Sequence, residues 1–209
     1  MSVFNFSQRL NDAAQKAMEL CREPFAELDR LAELNGQKVL KAFIDNRISD
    51  IHMKGTNRYG YGDDGRDKLD AVFAQILGAE DALVRHNFVN GTHAITTALF
   101  GILRGGDTLL SITGEPYDTI QGVINGEDIG SLKDFGVKYA QVDLLPDGMP
   151  DLDGIRAKAA GCKVAYIQRS RGYSLRPSFT IDIIGEMIQA VRSVNKDCIV
   201  MVDNCYGEL

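Results

Sequence analysis

Residues 163–204 read KVAYIQRSRGYSLRPSFTIDIIGEMIQAVRSVNKDCIVMVDN. The segments 163–169 and 198–204 are short apolar runs bounded by polar and turn-forming residues, the pattern of strands buried on both faces. Between them TIDIIGEMIQAVRS (180–193) repeats its apolar side chains every three or four residues, as an amphipathic helix does. Strand, helix and strand in this order form a βαβ unit, whose two strands lie parallel.

The same alternation extends upstream. ALVRHNF (82–88) precedes the helical pattern GTHAITTALFGIL (91–103). DTLLSI (107–112) precedes YDTIQGVI (117–124), and VKYAQV (137–142) precedes LDGIRAKAA (152–160). Five strands separated by helices predict an α/β domain with a mainly parallel sheet covered on both faces. Residues 54–66, KGTNRYGYGDDGR, carry four glycines and no apolar period, which marks a loop, and helical spacing resumes in DKLDAVFAQILG (67–78).

The first fifty residues read as helical. Apolar positions recur through Ala13, Ala17, Leu20, Phe25, Leu28, Leu31 and Leu34, Gly36 interrupts them, and a second run follows through Val39, Leu40, Phe43 and Ile44. The expected organisation is a helical arm over 1–50 and a main domain over 51–209. The arm either packs against a partner subunit or forms a surface helical hairpin.

Of the 209 residues, 44% are hydrophobic, enough for one sizeable core. The net charge of −6 argues against a nucleic-acid footprint and for small-molecule partners. Cys21, Cys162, Cys198 and Cys205 form no CxxC pair and have no histidine at ligand spacing, so neither a zinc site nor a disulfide framework is signalled, and Cys198 reads as core. No apolar stretch is long enough for a bilayer or shaped like a signal peptide, so the expected location is the cytoplasm, with no membrane partner.

In open α/β sheets, ligands bind beyond the carboxyl ends of the strands, and four places there carry candidate chemistry. Asn90-Gly91-Thr92-His93 opens a helix. Gly91 permits close backbone approach, free amides at a helix start attract phosphate, and Thr92 adds a hydroxyl; an ordinary helix cap has the same composition. Asp203 ends the run CIVMV, where a carboxylate needs a cation or several donors. A protonated pyridine nitrogen, a metal or a capping role would each answer. Tyr117, in the loop after DTLLSI, offers a ring to a planar ligand. In Gln168-Arg169-Ser170-Arg171-Gly172-Tyr173, two arginines with a serine and a tyrosine suit a substrate carboxylate or a phenolic oxygen, and equally a solvated basic turn.

Taken together these stretches carry a resemblance. YGYGDDGRDKLDAVFAQILGAEDALVRHNFVNGTHAI (59–95) resembles the Cys/Met-metabolism enzymes of fold type I that depend on pyridoxal 5′-phosphate (PLP). With QRSRGYSLRPS and VDNCYGE it is similar to their aluminium-resistance, methionine gamma-lyase-like group. The resemblance implies a three-layer, aspartate aminotransferase-like large domain with a mainly parallel sheet and an N-terminal helical arm. It also implies carbon–sulfur lyase activity on a sulfur amino acid such as cystathionine or methionine. Gly91 and Thr92 match the phosphate turn, Tyr117 the ring-stacking aromatic and Asp203 the pyridinium partner. Ser170 and Arg171, in the segment after KVAYI, are expected among the cofactor-binding residues. Tyr59 or Tyr61, with Arg66, resembles the pair that reaches a neighbouring subunit's phosphate site, implying a homo-oligomer, dimer or tetramer, with shared active sites. The family's cofactor-bearing lysine lies a few tens of residues after the Asp, so the resemblance implies that the protein continues past Leu209 into that lysine and a smaller C-terminal domain. Lys163 and Lys196 precede their strands and sit at the wrong edge.

The same cofactor contacts would serve an aminotransferase or a decarboxylase. A nucleotide-binding oxidoreductase would need GxGxxG after the first strand and an acidic residue roughly twenty positions on, and ALVRHNFVNGTHAI lacks that spacing. A non-catalytic scaffold of the same fold would leave Asp203 and the phosphate turn unexplained.

Overall fold

A computed structural model of the chain describes residues 4–55 and 62–207. These residues divide after His86 into two compact units, residues 4–86 and 87–207. The second unit holds four strands: β1 (Thr108–Ser111), β2 (Lys138–Gln141), β3 (Val164–Gln168) and β4 (Ile199–Asp203). They form one sheet in the order β2-β1-β3-β4, every pair parallel. Leu109 pairs with both Tyr139 and Val164, and Gln168 pairs with Asp203 at the carboxyl edge.

The helices are α4 (Gly91–Ile102), α5 (Asp118–Asn125), α6 (Leu152–Ala159) and α7 (Ile181–Val194). Strand alternation assigns them to opposite faces. Leu109, Val164 and Tyr166 pack with Leu99 of α4 and with Ile120 and Ile124 of α5. Leu110, Ala165 and Ile167 pack with Ile155 of α6 and with Ile184, Met187 and Val191 of α7. The expected mainly parallel, three-layer α/β architecture is therefore present. Side-chain caps set three helix starts: Asn90 accepts from His93 N–H, Asp151 from Gly154 and Thr180 from Ile183. Cys198 is in the core as read, with its Sγ 3.3 Å from that of Cys162.

Chain order reverses between β1 and β3. The chain moves from β1 outward to β2, then returns across β1 to build β3 and β4 on the other side. That is the topological switch point, where loops after two adjacent strands part and leave a crevice.

Two expectations are corrected. Residues 82–88 form no strand. The Asp70 carboxylate on α3 (Asp64–Leu77) accepts the Val84 N–H at 2.8 Å and the Arg85 guanidinium at 2.7 Å, and Ala82 N–H donates to Asp81. These side chains serve backbone donors that a ladder would otherwise use, and the Arg85 contact holds the Asp70 carboxyl below its ordinary range. Gly36 does not interrupt a helix either. The break falls at Cys21, between α1 (Gln8–Leu20) and α2 (Arg22–Asp45), and α2 runs through Gly36. One mid-helix glycine costs about 1 kcal/mol, which the good helix formers around it absorb.

Within the first unit, Ala42 of α2 packs with Val72 and Ile76 of α3, so the helical region extends beyond residue 50. Phe25, Leu28, Leu31 and Leu34 of α2 stay exposed. Among the described residues no helix is long and apolar enough to cross a membrane.

Candidate functional site

At the switch point lies a cavity of about 340 Å³, within the usual size range of small-molecule sites. Gly91 and Thr92 from the start of α4, Tyr117 from the loop after β1, Gln168 and Ser170 from the end of β3, and Asp203 from the end of β4 all line it. The structure thus brings Gly91, Thr92, Tyr117, Ser170 and Asp203 together.

One part of the cavity suits an anion. The amides of Gly91 and Thr92 occupy the first turn of a 12-residue helix and have no partner among the described residues, so the positive end of the helix faces outward. A Cβ built on Gly91 would meet nothing within 4 Å; no protein packing fills that space. The Thr92 hydroxyl lies 2.9 Å from that of Thr119, in the first turn of α5. Gly91→Ala is accordingly expected to leave stability unchanged or raise it by up to about 1 kcal/mol. The same methyl should weaken phosphate-bearing ligands by about tenfold or more. Thermal melting and ligand titration of the full-length variant check the two halves of this expectation.

Elsewhere the cavity suits a cation. Asp203 is half-buried, its Oδ2 accepts from the Tyr166 hydroxyl at 3.1 Å and its Oδ1 from the Cys205 amide at 3.2 Å. It has no ion pair among the described residues. A carboxylate offers about four acceptor positions, so Asp203 keeps capacity for a donor arriving from the cavity. Tyr117, 40% exposed, presents its ring to the cavity with the Tyr173 ring 6.3 Å away. Contact with Tyr173 and then the charge of Asp118 hold the Tyr117 phenol above its ordinary value, so it keeps its proton at neutral pH.

Gln168 ties these parts together. Its Oε1 accepts the Tyr117 backbone N–H at 2.7 Å, its Nε2 donates to Ser170 O, and its own amide donates to Thr113 Oγ1. The two loops that part at the switch point are thereby pinned to one side chain.

The other candidates sit differently. Arg169 donates to Asn204 Oδ1 at 2.7 Å, Gly207 O and Phe179 O, which fastens the chain after β4. Arg171 is exposed and lines neighbouring depressions with Ser178 and Arg176. Arg176 stacks on Phe179 and donates to the Gln168 and Ser170 carbonyls. Arg66 lies in the first unit, paired with Asp63 at 3.0 Å. Tyr59 and Tyr61 fall outside the described residues. Lys163 and Lys196 precede β3 and β4, at the amino edge of the sheet. Sequence reasoning missed Thr119 and Tyr166. The first hides in an ordinary helix start, and the second reads as one more apolar residue of a core strand.

Fold and cavity define a doubly wound α/β protein with a cleft of small-molecule size at the switch point of its sheet. The chain belongs to the methionine gamma-lyase family, whose profile matches residues 10–209. It is 48% identical over 186 residues to the uncharacterized protein YnbB of Bacillus subtilis (strain 168), covering 87% of this chain and 44% of that one. A carbon-sulfur lyase involved in aluminum resistance from Clostridium novyi NT superposes with a TM-score of 0.91 at 45% identity, over 98% of this chain and 50% of the other. A candidate cystathionine beta-lyase involved in aluminum resistance from Listeria innocua gives 0.92 at 48% identity, over 97% and 50%. The chain spans about half the length of these relatives.

Proposed function

We propose that the full-length protein is a PLP-dependent carbon–sulfur lyase, acting by β- or γ-elimination on a sulfur amino acid such as cystathionine or methionine. The observation that carries the reading is the half-buried Asp203 carboxylate, without an ion pair among the described residues, in one cavity with the unpartnered amides of Gly91 and Thr92. A small ring bearing a phosphate and a protonated nitrogen satisfies both, and the family and the names of its relatives agree with it. When bound, the cofactor's pyridine ring supplies a sink for the electron pair released at the substrate's α carbon.

The chain's own residues do the rest. Gly91 and Thr92 hold the phosphate through amides and hydroxyl, with Thr119 orienting Thr92. Asp203 keeps the proton on the ring nitrogen, and only a positively charged ring draws electrons strongly. Tyr117 would cover a ring face, which contributes on the order of 1 kcal/mol beyond burial, and its protonated phenol would be the nearby donor for a departing sulfur. Gln168 fixes the Tyr117 backbone and so the height of that ring above the cavity. The exposed Phe25, Leu28, Leu31 and Leu34 supply an apolar face for a second copy of the chain in a homo-oligomer, the arrangement in which Arg66 would serve a neighbour's site.

The experiment is turnover by the full-length protein with PLP, offered cystathionine and methionine. Release of a thiol together with a keto acid, without any amino acceptor, is expected. Keto acid formed only with an amino acceptor and without thiol would replace this reading by transamination, and release of carbon dioxide would replace it by decarboxylation.

A further inference from the structure

The Asp203 carboxylate that lines the cavity is hydrogen-bonded by a side chain from the core, Tyr166. Tyr166 is completely buried in the core between the sheet, α4 and α5, among Leu99, Leu109, Ile120 and Val164. Its register partner on β4 is Met201, two residues before Asp203, so the side chains of 166, 168, 201 and 203 share one face of the sheet. Its hydroxyl makes one hydrogen bond among the described residues, to Asp203 Oδ2 at 3.1 Å. We propose, resting on the cofactor reading above, that Tyr166 is a positioning residue: its hydroxyl, buried below the cavity, holds the Asp203 carboxylate in the orientation that receives a protonated ring nitrogen.

Packing alone does not explain the hydroxyl. Phenylalanine fills the same volume without placing a polar atom in an apolar core, a burial that costs energy unless the atom is bonded. The carboxylate needs the help. The terminal torsion of an aspartate is broad, and the ladder bond that the Asp203 carbonyl accepts from Arg169 N–H at 3.0 Å holds the backbone, not the carboxylate. With Tyr166 on Oδ2 and the Cys205 amide on Oδ1, both oxygens are tethered and the plane of the carboxylate is set. Burial first, and then the charge of Asp203, push the Tyr166 phenol well above its ordinary range. It therefore stays protonated throughout the working pH range and donates to the carboxylate.

The test compares two ligands in the full-length protein and its Tyr166→Phe variant: PLP, and the deaza analogue in which a C–H replaces the ring nitrogen. Loss of the hydroxyl should weaken PLP by about tenfold and leave the analogue within about twofold, because the analogue has no N–H for Asp203 to receive. Equal losses for both ligands would mean that the hydroxyl only supports the core, and unchanged binding of both would mean that it does nothing for the site. Either result overturns the assignment. Failure of the unsubstituted protein to bind PLP would instead remove the cofactor reading itself and the inference with it. If Tyr166→Phe does not fold, 3-fluorotyrosine at 166 keeps the ring and the hydroxyl and makes the latter more acidic. It must then shift PLP binding and leave the analogue unmoved; equal shifts overturn the proposal.

Discussion

Full-length protein carrying Asp203→Ala is expected to bind PLP about thirtyfold to several thousandfold more weakly than the unsubstituted protein, equivalent to about 2–5 kcal/mol, the usual consequence of truncating one member of a hydrogen-bonded charge pair at a partly buried site. The loss has a definite origin. Without the carboxylate, the ring nitrogen would meet the Tyr166 hydroxyl and apolar carbon, and a cationic ring would be buried beside a group that offers one weak acceptor. The ring would shed its proton, and C–S cleavage would fall further than binding does. Stability should fall by a smaller amount, about 1–3 kcal/mol, because the buried Tyr166 hydroxyl loses its acceptor. Equilibrium titration and a thermal melt on one preparation separate the two effects. A folded variant that binds PLP as tightly as the parent does would contradict the role given to Asp203.

Leu110→Ala should destabilise the protein by about 2–5 kcal/mol, through lost burial and the cavity left behind. Leu110 is fully buried on β1, an interior strand flanked by β2 and β3, and packs on the α6/α7 side with Ile112, Ala165 and Ile167. Leu175→Ala is the control: that side chain is 98% exposed and its truncation should stay within about 0.5 kcal/mol. Denaturant titration of both variants checks the contrast. Similar midpoints would mean that the packing of this sheet face is wrong.

How far the sequence could be read depended on how local the determining physics is. The helix–strand alternation from 91 to 204 was legible because each element carries its own period, and β1 to β4 and α4 to α7 lie where that period places them. Residues 82–88 misled because Leu83 and Val84 look strand-like, whereas Asp70, fourteen residues before Val84, competes for the backbone N–H. No periodicity argument sees a carboxylate on another helix. At Gly36 the propensity of one residue counts for less than the long run of helix formers around it. For the site, Gly91, Thr92, Tyr117 and Asp203 were legible because each sits just past a strand or at a helix start, where a polar residue stands out. Tyr166 was not, and Gln168 was legible only as the first residue of the candidate segment 168–173. Their importance comes from parallel register, which sets 166 beside 201 and 168 beside 203, and from a loop approach that delivers the Tyr117 amide to Gln168. The arginines at 169 and 171 looked alike in sequence and differ in space: one closes onto backbone carbonyls and Asn204, the other faces solvent.

The most direct measurement of the central claim is a crystal structure of the full-length protein with PLP bound. The geometry requires the ring nitrogen within hydrogen-bond distance of Asp203, about 2.7–3.2 Å, the phosphate on the amides of Gly91 and Thr92, and the Tyr117 ring against the pyridine face. A cofactor seated in another cleft, or one in this cleft with its nitrogen turned away from Asp203, would contradict it.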